Sequence, residues 1–139
     1  MASMIFNSAI EDMATDAIDF DTDTFQCMLV TSGYTPDKDA DTKRSDVTNE
    51  IVGTGYTAGG EVTSVSVTKD TANDRVDVEL DGISLPASTI TARGAVYYKA
   101  RGGAASADEL VAYIDFGVDV ISVAGLWALT PSTLRLQNT

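Results

Sequence analysis

Histidine is missing from this chain, and cysteine occurs once. Without histidine there is no His-based catalytic triad, no Cys–His pair and no ordinary zinc site. A single cysteine, Cys27, excludes an intrachain disulfide, so the fold does not depend on an oxidising compartment. It sits in the apolar run 25–30 and reads as a small buried hydrophobe. Basic residues are scarce: 9 Lys and Arg stand against 21 Asp and Glu, for a net charge of −12. A surface of that sign repels phosphate backbones and anionic lipid, so neither nucleic acid nor membrane is expected as a partner. No apolar run approaches the length of a membrane span. No basic stretch precedes the first apolar residues, so no signal peptide is expected.

What remains is ample for a core. The chain has 139 residues, 44% of them hydrophobic, which suits one domain over 1–139. The most informative stretch is 90–117. In ITARGAVYYK (90–99), Ile90, Ala92, Gly94, Val96 and Tyr98 alternate with Thr91, Arg93, Ala95, Tyr97 and Lys99, the period of a strand. LVAYIDF (110–116) is a second strand, and the glycine-bearing linker between them makes a long hairpin. EVTSVSVTK (61–69) and RVDVEL (75–80), joined by DTAND, read as another hairpin with a polar face. Further strands are expected at 25–30, around Trp127 and at Leu134 and Leu136, with 118–125 mixed in character. About eight short strands with turn chemistry between them predict a mainly β protein, an antiparallel β-sandwich of jelly-roll-like type. The expected core includes Val76, Val78, Ile90, Val96, Leu110, Ile114, Phe116 and Trp127. Only 4–17 has helical spacing, with Ile5, Phe6, Ala9, Ile10, Met13 and Ala14 on one stripe and Ser3 or Asn7 as the cap.

Asp19, Asp21 and Asp23 alternate, as do Asp37, Asp39 and Asp41. The second set matches the opening of an EF-hand loop, but Thr42 stands at its glycine position and Thr48 at its closing Glu, so no metal is expected. GTGYTAGG (53–60) lacks the GK[ST] ending of a phosphate loop, and its glycines read as turn and bulge residues. Asp115 interrupts an apolar run, but it reads better as a strand position facing Arg93 than as a catalytic carboxylate. No enzyme and no cofactor are expected.

Four segments, DTDTFQCMLVTSGYTP, SDVTNEIVGTGYTAGG, TARGAVYYK and LVAYIDFG, together resemble a set of small tailed-bacteriophage virion proteins. These share a short N-terminal helix followed by similarly worded strands and turns in the same order. The resemblance covers about 18–117. The loop 100–108 and the segment after Asp119 are less typical. It implies a structural virion protein, assembled in the bacterial host cytoplasm, with a capsid decoration (cement) protein as first reading. A tail- or fibre-associated module contacting another virion protein or a host-surface glycan is the alternative. The implied partners are the major capsid protein or other virion proteins, and a homo-oligomer, taken as a trimer to match local three-fold axes. The expected contact residues are Met4, Ile5, Phe6, Ile10 and Met13 of the helix stripe. Tyr34, Asp37, Lys38, Lys43 and Arg44 join them from the charged loop 34–46, which is expected to lie exposed.

Overall fold

Two strands of unusual length set the architecture. In the computed structural model, which describes residues 3–138, β6 (Ser84–Lys99) has 16 residues and β7 (Leu110–Ala128) has 19. They pair antiparallel from Ser84↔Ala128 to Tyr98↔Leu110. The other elements, in chain order, are β1 (Met4–Ile5), α1 (Asn7–Ala14), β2 (Phe25–Val30), β3 (Glu61–Thr63), β4 (Val65–Asp70), β5 (Arg75–Leu80) and β8 (Ser132–Gln137). Two antiparallel sheets result, ordered β1-β7-β6-β2-β3 and β4-β5-β8. The protein is thus mainly β with one helix, and residues of both sheets share one core.

The long hairpin of the larger sheet bends back on itself. Phe116 and Trp127 lie 11 positions apart on β7, roughly 36 Å along a straight strand, yet their rings are 5.7 Å apart. The Trp127 indole N–H donates to the carbonyl of Val120, 3.2 Å away. Register shifts in the β6–β7 ladder fall between Leu85 and Ser88, Ser88 and Ile90, Ala92 and Gly94, and Tyr97 and Tyr98. On β7, Gly117 (φ 76°) and Ala124 (φ 46°) take left-handed backbone. Such bulges bend and twist a strand. Ser88 and Ser122, buried where the arm curves, share a hydrogen bond of 2.8 Å between their hydroxyls. The segment 118–125, mixed in sequence, is strand because β6 pairs with it; β6 itself begins at Ser84 and includes Pro86, earlier than the alternation at 90 suggests.

Near the hairpin loop, burial is continuous. Gly94, Ala95, Val96, Tyr97 and Tyr98 are all buried, as are Cys27–Val30 opposite them. The alternation in the sequence suggests one wet face, but the loops and the helix close over it. Tyr97 donates its hydroxyl to the carbonyl of Asp81 at 2.8 Å, while its neighbour Tyr98 donates to Gln26 Oε1 at 2.6 Å. The two phenols therefore anchor to different parts of the chain. Gly60 (φ 82°) allows the close approach of the 53–60 turn to β2, since a Cβ there would lie 1.9 Å from the carbonyl oxygen of Cys27.

The N-terminal segment departs from the expected helix over 4–17. Met4 and Ile5 are a strand, paired with Tyr113 and Ala112, because β7 offers an open edge there. Phe6 is the helix N-cap without a side-chain cap bond. Neither expected cap acts as one: Ser3 Oγ accepts the Asp115 backbone N–H at 2.9 Å, and Asn7 Nδ2 donates to Asp39. The helix stops at Ala14 because Asp16 turns left-handed (φ 67°) and the N–H of Ala17 closes on the carbonyl of Asp12 at 2.9 Å, a Schellman ending. Of the expected core, Val78, Ile90, Val96, Leu110 and Trp127 are buried. Val76, Ile114 and Phe116 are only half-buried, and of the three Ile114 and Phe116 pack against it. Val76 sits toward the open end of the smaller sheet, and Ile114 and Phe116 lie on β7 just beyond the two residues paired with β1.

Trp127 holds the bent hairpin closed, so Trp127→Ala should cost about 3–5 kcal/mol. Urea unfolding followed by circular dichroism measures this, and an unchanged midpoint would refute the role given to the bend.

Candidate functional site

The loop 34–46 is not a free arm. Its end is stitched to the loop between β6 and β7 by backbone bonds from Arg44 N–H to the Asp108 carbonyl (2.9 Å) and from Leu110 N–H to the Thr42 carbonyl (3.2 Å). Two buried carboxylates reinforce the seam. Asp108 accepts from Arg44 Nε at 2.8 Å and from the Arg101 backbone N–H at 2.9 Å. Glu109 takes both oxygens to the Arg101 guanidinium, with Nε–Oε1 at 2.7 Å and Nη2–Oε2 at 2.8 Å, and Lys43 Nζ lies 3.6 Å from it. Arg44 also stacks over Tyr98, 5.1 Å from the ring centre. Hydrogen bonding by Arg101 holds the Glu109 carboxyl below its ordinary value of 4.5. Burial of carboxylates is tolerated only with such pairing.

The expected contact residues are therefore scattered. Phe6 and Tyr34 are buried and belong to the core. Met4, Ile5 and Met13 are half-buried against that core, so most of the helix stripe closes the domain instead of facing outward. Ile10 remains 54% exposed. Lys43 and Arg44 are committed to the buried carboxylates, while Asp37 and Lys38 stay exposed at the loop tip.

The alternating aspartates shape turns. Asp37 Oδ1 accepts the N–H groups of Asp39 and Ala40 at 2.9 and 3.1 Å. Asp41 Oδ2 accepts the Tyr34 hydroxyl at 2.7 Å and the Asp37 N–H at 3.0 Å. In the first set, Asp19 holds the N–H of Asp21 at 2.9 Å, and Asp23 pairs with Lys99 Nζ at 2.8 Å. Among the described residues, no group of three or more His, Cys, Asp or Glu is placed to hold a metal ion. Asp115 Oδ1 accepts the Gly117 N–H at 2.9 Å, and Arg93 pairs with Asp119 instead, at 2.9 Å. Burial pushes the Cys27 thiol up to about 12, so it stays protonated at neutral pH and is a poor nucleophile.

Two apolar surfaces remain uncovered, and neither was expected from the sequence. One is the outer face of the hairpin arm. Ile121 and Val123 of β7 are 62% and 77% exposed and Val52 is 97% exposed. With Thr31, Thr89 and Thr91 they line an open depression of about 410 Å³ that contains no charged residue. The register places Thr91 opposite Ile121. The second is the inner face of the three-stranded sheet where it overhangs the core, lined by Val67, Val76 and Leu136. The alternation of 118–125 carries a signal for the first surface, but only once its inward positions, Val120 and Ser122, are known. Among the described residues no aromatic side chain is exposed.

Comparison with protein-family models, curated proteins and solved structures finds no match to this chain.

Glu109→Gln should destabilise the protein by about 1.5–3 kcal/mol, the usual worth of a hydrogen bond to a charged group. Because the folded-state value of Glu109 is depressed, its contribution is present above pH 4.5 and is lost as the pH falls toward that lower value. Unfolding at several acid pH values checks both points: the variant's stability should fall less steeply below pH 4.5 than that of the native protein.

Proposed function

We propose that this chain is a structural virion protein of a tailed bacteriophage, a capsid decoration (cement) protein that stabilises the head by docking on it. The observation that carries the reading is the uncharged, aliphatic outer face of the β6–β7 arm. On a domain of net charge −12, copies and shell meet with least repulsion where carboxylates are absent. Ile121, Val123 and Val52 form such a place, with Arg93 and Asp119 neutralising one another nearby. An exposed aliphatic cluster of this kind marks a protein contact. The resemblance of the motifs supplies the virion setting. Its implied partners are the major capsid protein or other virion proteins, and a homo-oligomer, a trimer, suits three-fold positions on a shell. Repetition of a modest contact over many sites then gives tenacity through avidity. The chain works in the virion, after assembly in the host cytoplasm, and it works without catalysis: its one thiol is buried, and its paired aspartates are taken up by turns.

The alternative of a glycan-binding tail or fibre module draws no support from the aromatics. Such a module presents rings to sugar, whereas Tyr34, Tyr97, Tyr98, Tyr113 and Trp127 are buried and Tyr56 and Phe116 are half-buried.

Two measurements test the proposal. Quantitative mass spectrometry of purified virions should find this chain in numbers comparable to the major capsid protein, and a handful of copies per particle would move it to the tail. Ile121→Asp should abolish binding to purified heads while changing stability by less than about 0.5 kcal/mol, as for an exposed site. Undiminished decoration by that variant would overturn the role of the arm.

A further inference from the structure

The inner face of the three-stranded sheet is built of cross-strand rows. Val65, Leu80 and Ser132 form one, Val67, Val78 and Leu134 the next, and Lys69, Val76 and Leu136 the last. Burial fades along the series. Leu80 is inaccessible and Val78 nearly so, whereas Val67 is 43% and Leu136 48% exposed. Across from these last side chains stand Met13 of α1 and Phe20 of the connection between α1 and β2, and the space between is an open depression of about 430 Å³. Asp16, Asp19 and Asp21 lie along the same wall. Asp19 is turned to the Asp21 N–H, which holds its carboxyl below the ordinary range. Asp16 and Asp21 enter none of the ion pairs among the described residues.

An aliphatic strip with an acidic bank selects its occupant by charge. We infer that the depression holds an extended segment of a partner protein whose aliphatic side chains alternate with lysine or arginine. The aliphatic side chains cover Val67, Val76 and Leu136, and the cations meet Asp16 and Asp21. A second copy of this chain is disfavoured, since it brings the same aspartates and another −12 of charge against them. Anionic lipid is repelled for the same reason. The inference rests on the reading of this chain as a docking protein, and it adds a second contact, of basic character, on a different face from the uncharged arm.

The probe is a short blocked peptide alternating valine with lysine, added at low salt to the full-length protein with its methyl groups labelled for NMR. Methyl shifts of Val67, Val76 and Leu136 should move, while those of Ile121 and Val123 stay. The affinity should fall as salt is raised, because the rim charges are exposed. Asp16→Asn and Asp21→Asn should each weaken binding about two- to five-fold, the worth of one exposed ion pair, without loss of fold. Val67→Lys, at a half-exposed position, should abolish it. Equal binding of a valine–glutamate peptide overturns the inference, as does a response centred on Ile121, concentration-dependent dimerisation through this face, or the absence of any methyl shift. Binding to heads is read separately: loss of decoration by Ile121→Asp with the peptide response intact supports both readings, whereas absence of the peptide response while Ile121→Asp still fails to decorate rejects only this one.

Discussion

Pairing of β6 with β7 is the constraint on which the other elements depend. Between them the two strands supply members of the larger sheet and, through their far ends, the turns that lead from β5 and into β8. β2 takes its place by pairing with Gly94–Lys99, and β1 by pairing with Ala112 and Tyr113. A straight hairpin of this length would leave one end without a core. The bend, fixed by Gly117, Ala124 and the Trp127–Val120 bond, turns that end back on itself so that Leu85, Ile90 and Trp127 are buried. Its convex side is what leaves Ile121 and Val123 in water.

Polar groups do the remaining fixing. Asp108 and Glu109 tie the loop 34–46 to the hairpin loop, and Glu50 performs the same service for the glycine-rich turn by accepting from the Tyr56 hydroxyl and from the Gly59 N–H at 2.7 Å. Tyr56 in turn accepts the Leu29 backbone N–H at 3.1 Å. In each case a carboxylate collects donors that a loop would otherwise bury unpaired. The acidity of the chain thus has two parts: some carboxylates organise loops, and others, such as Asp16 and Asp21, remain to give the surface its sign.

Much of the fold is legible in the sequence because period two is a local property. The hairpins at 65–80 and 90–116, the absence of a disulfide and the turn role of Gly55, Gly59 and Gly60, all at positive φ, follow from short windows of residues, whereas 61–63, which reads as the start of the 61–69 strand, leaves that hairpin to pair with β2 in the larger sheet. What the sequence conceals is set by distant pairing. Met4 and Ile5 have helical neighbours but lie on an open edge of β7, and 118–125 has weak alternation but a partner in β6. Lys43 and Arg44 look like surface charges, yet buried carboxylates at 108 and 109 claim them from across the chain. The two exposed apolar surfaces are hidden for the same reason, since a valine in a strand is read as core until the covering layer is seen to stop short.

Amide hydrogen exchange addresses the dominance of the β6–β7 hairpin most directly. Exchange of the slowest amides requires global unfolding, and less supported segments open locally at lower cost. The account predicts the slowest exchange at Ala95–Tyr97 and Val111–Tyr113 of the paired strands, with amides near Lys69, Val76 and Leu136 at the overhanging end of the smaller sheet exchanging far faster. Equal protection of that end and the hairpin, or faster exchange in the hairpin, would contradict it.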